Sequence, residues 1–309
     1  MAKKKAHTAT FSITLPATSA NLGPAFDAAA LALSMYLRVK AQVANEFSIT
    51  ASGRDQAICG QIKNHLILKT YTEILHQEGR STIPLALLLE NEIPIGKGCG
   101  SSAAARLAGI ALANHFGRLR WNDGRIVLEA ARREGHADNA AACWSGGLAI
   151  ARMTDERLEA MRILPKGKWP LLLAVPEESL ATEEARRILP DKYSRADAVA
   201  NLQNSMLLLS AFTQARRDLL DKGLDDRLHQ PYRAKLCPLL PALQELSGTN
   251  GILGVALSGA GPSVLVFLDP KVSAVQVKRR ISARLAARGL EAELIATAIS
   301  PKGAASSRP

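Results

Sequence analysis

The sequence contains few cysteines for its length of 309 residues. Cys59, Cys99, Cys143 and Cys237 stand far apart and form no CxxC pair. Such spacing predicts neither a disulfide framework nor a zinc site. Thiols without disulfide partners are typical of the reducing cytoplasm, so we predict a cytoplasmic protein.

Long hydrophobic runs are also missing. The longest apolar stretches, such as 85–89 and 171–175, are far shorter than the roughly 20 residues that a membrane helix needs. The chain starts with positive charge but without the apolar core of a secretory signal. We therefore predict neither a membrane segment nor a membrane partner.

Aromatic residues make up only 4% of the chain, whereas the basic residues outnumber the acidic ones and give a net charge of +11. A basic balance is typical of proteins that bind anions, from nucleic acids to phosphorylated small molecules. The scarcity of aromatics argues against a stacking surface for single-stranded nucleic acid. Positive charge is concentrated in residues 3–5 and 271–288. We interpret both as solvated surface, the second as the outer face of an amphipathic helix.

The composition, 47% hydrophobic and 22% charged, is that of a folded globular protein. The length suggests about two domains. Predicted strands and helices alternate irregularly, which favours an α+β fold over a doubly wound parallel sheet. Strands are predicted over 9–15 and 35–50, with a turn-rich segment between them. The charged segment 154–168 is predicted to separate the domains, and the tail, 301–309, is predicted to be disordered.

The strongest local signal is the glycine-rich segment EIPIGKGCGSSAAA, residues 92–105. Gly96, Gly98 and Gly100 allow tight turns and a close approach to a ligand. Ser101 and Ser102 stand where a helix is predicted to begin, and a helix N-terminus favours phosphate. A plain turn with a serine cap is the alternative. Three glycines followed by two serines favour a phosphate-binding loop.

Several motifs resemble those of the GHMP kinases, the family of galactokinase, homoserine kinase, mevalonate kinase and phosphomevalonate kinase. PIGKGCGSSAA, from Pro94, is similar to their central motif PxxxGLGSSAA. PATSANLGPAFD and SGAGPSVLVF resemble their first and third motifs. Three further segments resemble homoserine kinases in particular: REGHADNAAA, ATEEARRILP and DRLHQPYRAKLCP. The motifs occur in the family's order and cover nearly the whole chain.

The resemblance implies the GHMP kinase fold. It implies an ATP-binding N-terminal domain similar to ribosomal protein S5, residues 1–160, and a C-terminal α+β sandwich domain, residues 161–300. It also implies phosphorylation of L-homoserine by ATP, with Mg²⁺, to give O-phospho-L-homoserine for threonine biosynthesis. Because relatives are often dimers, a homodimer is expected, and no nucleic-acid partner is. The alternatives are another GHMP small-alcohol kinase, or a basic nucleic-acid-binding protein built on the S5-like domain.

For ATP, the resemblance implies binding along the glycine-rich loop and the start of the following helix. The implied residues are Pro94, Ile95, Gly96, Lys97, Gly98, Cys99, Gly100, Ser101, Ser102, Ala103 and Ala104. Ser101 and a glutamate before the GHADN segment are expected to hold Mg²⁺. Glu129 and Glu134 both qualify. We favour Glu129, because Glu134 adjoins His136 and is expected to point elsewhere.

For homoserine, the resemblance implies a pocket that is lined by several motifs. The substrate-binding residues are Asn21, Asp27, His136, Asp138, Arg186, Arg233 and Gly259, and the catalytic residues are Asn139, Thr182 and Arg186. The chemistry agrees, because arginines suit a carboxylate, Asp138 an ammonium and Asn139 a hydroxyl. Phosphoryl transfer depends mainly on positioning and charge neutralisation, so no general base is assigned.

Structural alternatives stay open at several of these positions. Asp27 could brace the turn after Pro24, and His136 could be a structural hydrogen-bonding histidine. Arg233 could be a solvated helix residue, and one of the adjacent Arg186 and Arg187 is expected to be a surface charge. Ala25 stands where the family has glycine, and a positive φ there would strain the turn.

Overall fold

The computed structural model describes residues 10–154 and 156–307, so the basic run at 3–5 lies outside the described residues. The strands are β1 (Thr10–Asn21), β2 (Ala25–Val43), β3 (Ser48–Gly53), β4 (Leu85–Asn91), β5 (Leu148–Met153), β6 (Leu158–Ile163), β7 (Pro170–Val175), β8 (Ile252–Leu257), β9 (Val264–Leu268) and β10 (Glu293–Ala298). The α-helices are α1 (Gln56–Cys59), α2 (Leu66–Gln77), α3 (Ser101–Phe116), α4 (Asp123–Glu134), α5 (Asp138–Ser145), α6 (Thr182–Arg187), α7 (Arg195–Gln214), α8 (Leu220–Gly223), α9 (Gln230–Arg233), α10 (Leu239–Gln244) and α11 (Ala274–Ala286). In this part of the chain, no helix is both long enough and apolar enough to cross a membrane.

The first sheet is built on a long hairpin of β1 and β2. The strand order is β3-β4-β2-β5-β6, with β1 beside β2, and β3 runs parallel to β4. β1 continues to Asn21 and β2 begins at Ala25, so the turn-rich segment predicted over 16–34 is nearly all strand. Residues 16–21 are buried on both faces of the sheet. They therefore lack the alternation by which strands are identified from sequence.

β6 extends the first sheet beyond the predicted domain boundary. It pairs antiparallel with β5 from Leu158↔Met153 to Ile163↔Leu148, so a boundary at 160/161 would cut a strand. β6 is an edge strand whose side chains are mostly exposed. Exposed edge strands often carry charged residues. In the sequence, a charged segment of this kind cannot be told from a linker between domains.

The second sheet is antiparallel, in the order β10-β7-β9-β8. The two faces of β7 belong to different cores. Leu171 and Leu173 pack into the main core, with Trp169 and with residues from the first sheet. Leu172 and Ala174 pack into a smaller core beneath α10 and α11. This period of two is the pattern of a strand that is covered on both faces, and the arrangement is α+β, as predicted.

The segment after β10 returns to the first sheet. Ile299 bridges Leu33, and the N–H of Ser300 donates to the carbonyl of Ala32. Gly303 packs against the end of α5, Ala304 is fully buried, and a 3-10 turn spans Ala304–Ser307. The prediction of disorder is therefore wrong for 301–307. The small residues of this segment are typical of a disordered tail. Here they are small because Gly303 and Ala304 pack closely against other parts of the chain.

The basic segment near the C-terminus forms α11, which buries Val277, Ile281 and Leu285. Its lysine and arginine side chains lie on the other faces, where Arg284 and Arg288 pair with Glu245. This agrees with the interpretation of 271–288 as an amphipathic helix with a solvated charged face.

Gly98, in the loop between β4 and α3, touches the segment between β8 and β9. Its φ is +76°, and a Cβ there would lie 2.3 Å from the carbonyl oxygen of Ser258. We expect Gly98→Ala to lower the free energy of unfolding by more than about 3 kcal/mol, because backbone strain and displacement of the loop add up. Urea denaturation measures this loss.

Gly79→Ala is the matched control. Gly79 has a φ of +62°, and nothing lies within 4 Å of an added Cβ. We therefore expect the free energy of unfolding to fall only by the backbone strain, about 1–2 kcal/mol. Equal losses in the two variants would show that the contact at Gly98 contributes nothing.

Candidate active site

One cavity lies where the glycine-rich loop, the first hairpin, α5, α6 and α9 meet. Most of the site residues predicted from the sequence line it. They are Asn21, Asp27, Gly96, Gly98, Cys99, Gly100, Ser101, Ser102, His136, Asp138, Asn139, Thr182, Arg186, Arg233 and Gly259. Glu134, Leu180, Ala260 and Gly261 complete the lining.

Six predicted residues do not line this cavity. Ala103 and Ala104 are buried inside α3. Pro94 and Lys97 line a neighbouring cavity of about 840 Å³, and the Lys97 amine donates to the carbonyl of Glu177. The N–H of Ile95 donates to the carboxylate of Asp55 over 3.0 Å. The sixth is Glu129.

The glycine-rich loop places the N-terminus of α3 beside the cavity. Gly96, Gly98 and Gly100 have φ of 71°, 76° and 70°, which side chains other than glycine rarely adopt. Gly100 is the N-cap residue, and the helix begins at Ser101. The N-terminus of this 16-residue helix carries partial positive charge and backbone donors, the combination that binds phosphate.

The first motif forms a strained corner at the hairpin turn. Asn21 and Asp27 have φ of 71° and 53°, whereas Ala25 is outside the positive region and is not strained as alanine. The Asn21 amide donates to the carbonyl of Gly259 over 2.8 Å, and its oxygen accepts the N–H of Asp27 over 2.9 Å. Non-glycine residues with such φ are often found at functional sites. Asn21 therefore joins the first motif to the third.

Asp27 faces Arg186 across the cavity. The guanidinium donates to both carboxylate oxygens, with N–O distances of 2.9 and 2.6 Å. The hydrogen bonds from Arg186 to Asp27 raise the pKa of the guanidinium. Asp27 therefore does more than brace the turn after Pro24. The neighbouring Arg187 is exposed, as expected for one of the two arginines.

The GHADN segment presents three polar side chains at the start of α5. His136 Nδ1 lies 2.7 Å from Asp138 Oδ1, which also accepts the N–H of Asn139 over 2.6 Å. Burial alone would lower the pKa of His136, but the hydrogen bond and charge of Asp138 outweigh it, and the pKa is raised. Asp138 is almost fully buried. The segment thus holds a carboxylate in a defined orientation.

Thr18 supports the site residue Asn139, a role that the sequence does not reveal although Thr18 lies within the quoted first motif. Its hydroxyl donates to Asn139 Oδ1 over 2.6 Å, and its N–H donates to the carbonyl of Cys99 over 3.0 Å. Thr18 is completely buried. The bond occupies one lone pair of Oδ1 and fixes the orientation of the Asn139 amide, whose NH₂ group remains a donor.

Arg233 lies at the wall of the cavity and is 1% exposed, so it is not a solvated helix residue. Its Nε donates to the carbonyl of Ala185 over 2.9 Å. Within the described residues it has no carboxylate partner. Burial, with the charge of Arg186, lowers the pKa of Arg233 to about 10. The ring of Phe26, which the sequence analysis also missed, lies within 5.5 Å of both guanidinium groups.

The two glutamates of α4 lie in different surroundings. Glu134 lines the cavity, and its carboxylate accepts from Ser102 Oγ over 2.6 Å and from Arg106. Glu129 instead pairs with Arg133, one turn along α4, over 2.8 Å. That i, i+4 spacing is ordinary for a helix ion pair and was readable from the sequence. Its position makes Glu134, rather than Glu129, the glutamate that can reach a ligand in the cavity.

The cavity combines sites for opposite charges. Asp27, His136 and Asp138 each offer an atom within 4.8 Å of the other two, a grouping that suits a cation. Arg186 and Arg233 on the adjacent wall suit an anion. The cavity can therefore bind a small molecule that carries both charges, beside a helix N-terminus that suits phosphate.

Comparisons with known proteins agree with this geometry. Residues 65–147 match the family model for the GHMP kinases N terminal domain, and residues 208–287 match that for the GHMP kinases C terminal. The chain is 42% identical to a homoserine kinase of Solibacter usitatus, over 84% of this chain and 85% of the relative. It is 36% identical to one of Desulfitobacterium hafniense, over 95% and 98%.

Two solved structures are similar over nearly their full length. A putative homoserine kinase from Listeria monocytogenes superposes with a TM-score of 0.72 at 27% identity, covering 95% of this chain and 97% of that one. A homoserine kinase from Cytophaga hutchinsonii gives a TM-score of 0.79 at 21% identity, covering 98% and 99%. The predicted fold class is therefore confirmed.

The bond from Thr18 to Asn139 can be tested by its effect on stability. We expect Thr18→Val, which keeps the shape, to lower the free energy of unfolding by about 1–3 kcal/mol, because Oδ1 of Asn139 stays buried without a donor. Thr18→Ser keeps the hydroxyl and should lose about 1 kcal/mol or less for its missing methyl group. If both variants lose the same amount in urea titrations, the bond does not orient Asn139.

Proposed function

The chain belongs to the GHMP kinases and, among them, to the homoserine kinase family, and on this basis we propose that it phosphorylates L-homoserine with ATP. The product is O-phospho-L-homoserine, for threonine biosynthesis. One observation carries the proposal. A cavity for a molecule with both an ammonium and a carboxylate lies directly against the N-terminus of α3.

We place the phosphates of ATP along the loop from Gly96 to Gly100 and at the first N–H groups of α3. Backbone donors and the helix dipole neutralise phosphate charge there without a side chain. The nucleoside end extends past Pro94 and Lys97 into the neighbouring cavity, which has ample volume for it. Ile95, Ala103 and Ala104 then support the loop and helix rather than contact ATP.

We place homoserine so that its ammonium meets Asp27 and Asp138, and its carboxylate meets Arg186 and Arg233. The Asp27–Arg186 ion pair already joins one group of each charge. An amino acid carries the same two charges on one carbon, so it can insert between them and replace one ion pair by two. His136 orients Asp138, and Asn21 and Gly259 hold the wall on which Arg233 lies.

In the reaction, the homoserine hydroxyl oxygen forms a bond to the γ-phosphorus as the bond to the leaving ADP oxygen breaks. The proton of the hydroxyl leaves on an oxygen of the transferred phosphoryl group, so no side chain is assigned as general base. Asn139 donates from its amide and orients the hydroxyl, and Thr182 also lines the cavity. Arg186 offsets the charge that spreads over the phosphoryl oxygens.

The residues at the start of α3 and the end of α4 fit Mg²⁺. Glu134 offers a carboxylate, and Ser101 and Ser102 offer hydroxyls, which are the hard oxygen ligands that this ion prefers. We propose that these residues hold it, with Glu134 in the place first given to Glu129. When bound, Mg²⁺ neutralises charge on the phosphates and orients them.

We also propose a cytoplasmic location, supported by four cysteines that are all free and buried. The homodimer stays a prediction from the family.

Substrate choice is tested by following ADP release with three alcohols. We expect turnover with L-homoserine and none above background with mevalonate or 4-hydroxybutyrate. Both of these carry a carboxylate and a hydroxyl but lack the ammonium that Asp27 and Asp138 would bind. No homoserine-dependent ADP release at millimolar substrate would refute the proposed function. Faster turnover of mevalonate would favour the other small-alcohol kinases.

The glutamate assignment has its own test. We expect Glu134→Gln to lower turnover at least about tenfold and to raise the Mg²⁺ concentration needed for half-maximal rate, because a charged ligand is lost. Glu129→Gln is the matched control and should stay within about twofold, since it removes only a helix ion pair. A loss of turnover in Glu129→Gln without a loss in Glu134→Gln would instead support Glu129 as the ligand of Mg²⁺.

A further inference from the structure

Behind Arg233 lies a completely buried histidine, His229, that the mechanism does not use. It precedes α9 in the motif DRLHQPYRAKLCP. Its Nδ1 lies 3.2 Å from Nη1 of Arg233, and its Nε2 lies 2.9 Å from the carbonyl oxygen of Gly23. The ring thus connects the guanidinium on the cavity wall to the turn between β1 and β2.

The neighbours of the ring determine where its proton lies. A carbonyl oxygen can only accept, so Nε2 must carry hydrogen, and the carboxylate of Asp226, 3.4 Å from Nε2, requires the same. A guanidinium can only donate, so Nδ1 must present its lone pair. Burial, outweighing the charge of Asp226, lowers the pKa of His229 to about 4, which keeps the ring neutral.

The ring itself is held in place from two further sides. Asp226 accepts the backbone N–H groups of residues 228–230, which fixes the start of α9. The ring of Phe26 stacks on the imidazole with centroids 5.1 Å apart. His229 therefore presents its acceptor to Arg233 from a defined position.

Arg233 needs such an acceptor. It is a buried cation without a carboxylate partner among the described residues, and its Nη1 reaches the carbonyl of Gly259 only over 3.4 Å. A buried carboxylate in place of the imidazole would neutralise the charge that a substrate carboxylate requires. A neutral acceptor orients the guanidinium and leaves its charge available.

We propose that His229, as the neutral ring protonated at Nε2, is a positioning residue that orients Arg233 toward the carboxylate of the substrate. This inference rests on the proposed function.

Two variants separate the two nitrogens. His229→Asn places an oxygen near the position of Nδ1 and keeps an acceptor for Arg233, whereas His229→Gln places a donor near Nε2 and keeps only the bond to Gly23. Both lose the ring that stacks on Phe26, so they are matched for packing. We expect His229→Gln to raise KM for homoserine at least about tenfold and His229→Asn to stay within about threefold. KM for ATP should stay within about twofold in both variants.

A double mutant tests whether the effect passes through Arg233. In an Arg233→Lys background, His229→Gln should change KM for homoserine by less than about twofold, since the oriented group is already gone. Two results would overturn the proposal: equal increases in KM for homoserine in the two His229 variants, or an unchanged value in His229→Gln. If the wild-type protein shows no homoserine-dependent ADP release, the proposed function itself has failed.

The protonation state is tested without any substrate. Long-range ¹H–¹⁵N correlation on the labelled protein at neutral pH should show His229 protonated at Nε2 and bare at Nδ1. The signal is assigned by its loss in His229→Asn, with the melting temperature of that variant as a folding check. A ring protonated at Nδ1, or at both nitrogens, would overturn the proposal whether or not homoserine is the substrate.

Discussion

The site depends on a contact between backbones, where the glycine-rich loop meets the segment between β8 and β9. Gly98 approaches the carbonyl oxygens of Ser258 and Gly261 too closely for any side chain, and Ser258 Oγ donates to the carbonyl of Gly98 over 2.8 Å. The N–H of Gly259 donates to the carbonyl of Ala20 in the first hairpin. These contacts to the main chain therefore hold three distant segments together. These contacts determine the spacing between the side chains that line the cavity.

The electrostatics of the cavity depend on two arginines, of which one is paired with a carboxylate and the other is not. Arg186 is matched by Asp27, and Arg233 has no carboxylate partner among the described residues. A buried, unpaired guanidinium costs free energy of folding, and such a cost is offset when an anion binds. The cavity is thus a better receptor for a zwitterion than for a neutral molecule. The net charge of +11 needs no nucleic acid to account for it, although most of that charge lies elsewhere.

The residues that belong to the family motifs were the part of the site that could be predicted from the sequence. The residue types of Asp27, Asp138, Arg186 and the glycines follow from the chemistry of phosphate and amino-acid binding, and the family order placed them in one pocket. Thr18 and His229 lay within the quoted motifs, but their roles could not be assigned. A buried hydroxyl or imidazole has no periodicity. The partner of the Thr18 hydroxyl lies 121 residues away in the chain, and the carbonyl that fixes the ring of His229 lies 206 residues away. The sequence could not separate Glu129 from Glu134 because one helix carries both, and only the packing of α4 places Glu134 beside the loop.

The residues alone were enough to predict the fold family, the glycine-rich loop and the kinds of charge that line the cavity. Local chemistry specifies these features, because a positive φ favours glycine and a bound carboxylate favours a cation nearby. Packing of the folded chain determines which charges pair with each other, where the first sheet ends and that residues 301–307 fold back onto it. Each of these outcomes depends on the distance between segments far apart in the chain. Strand pairing and backbone contacts set those distances, and no local pattern encodes them.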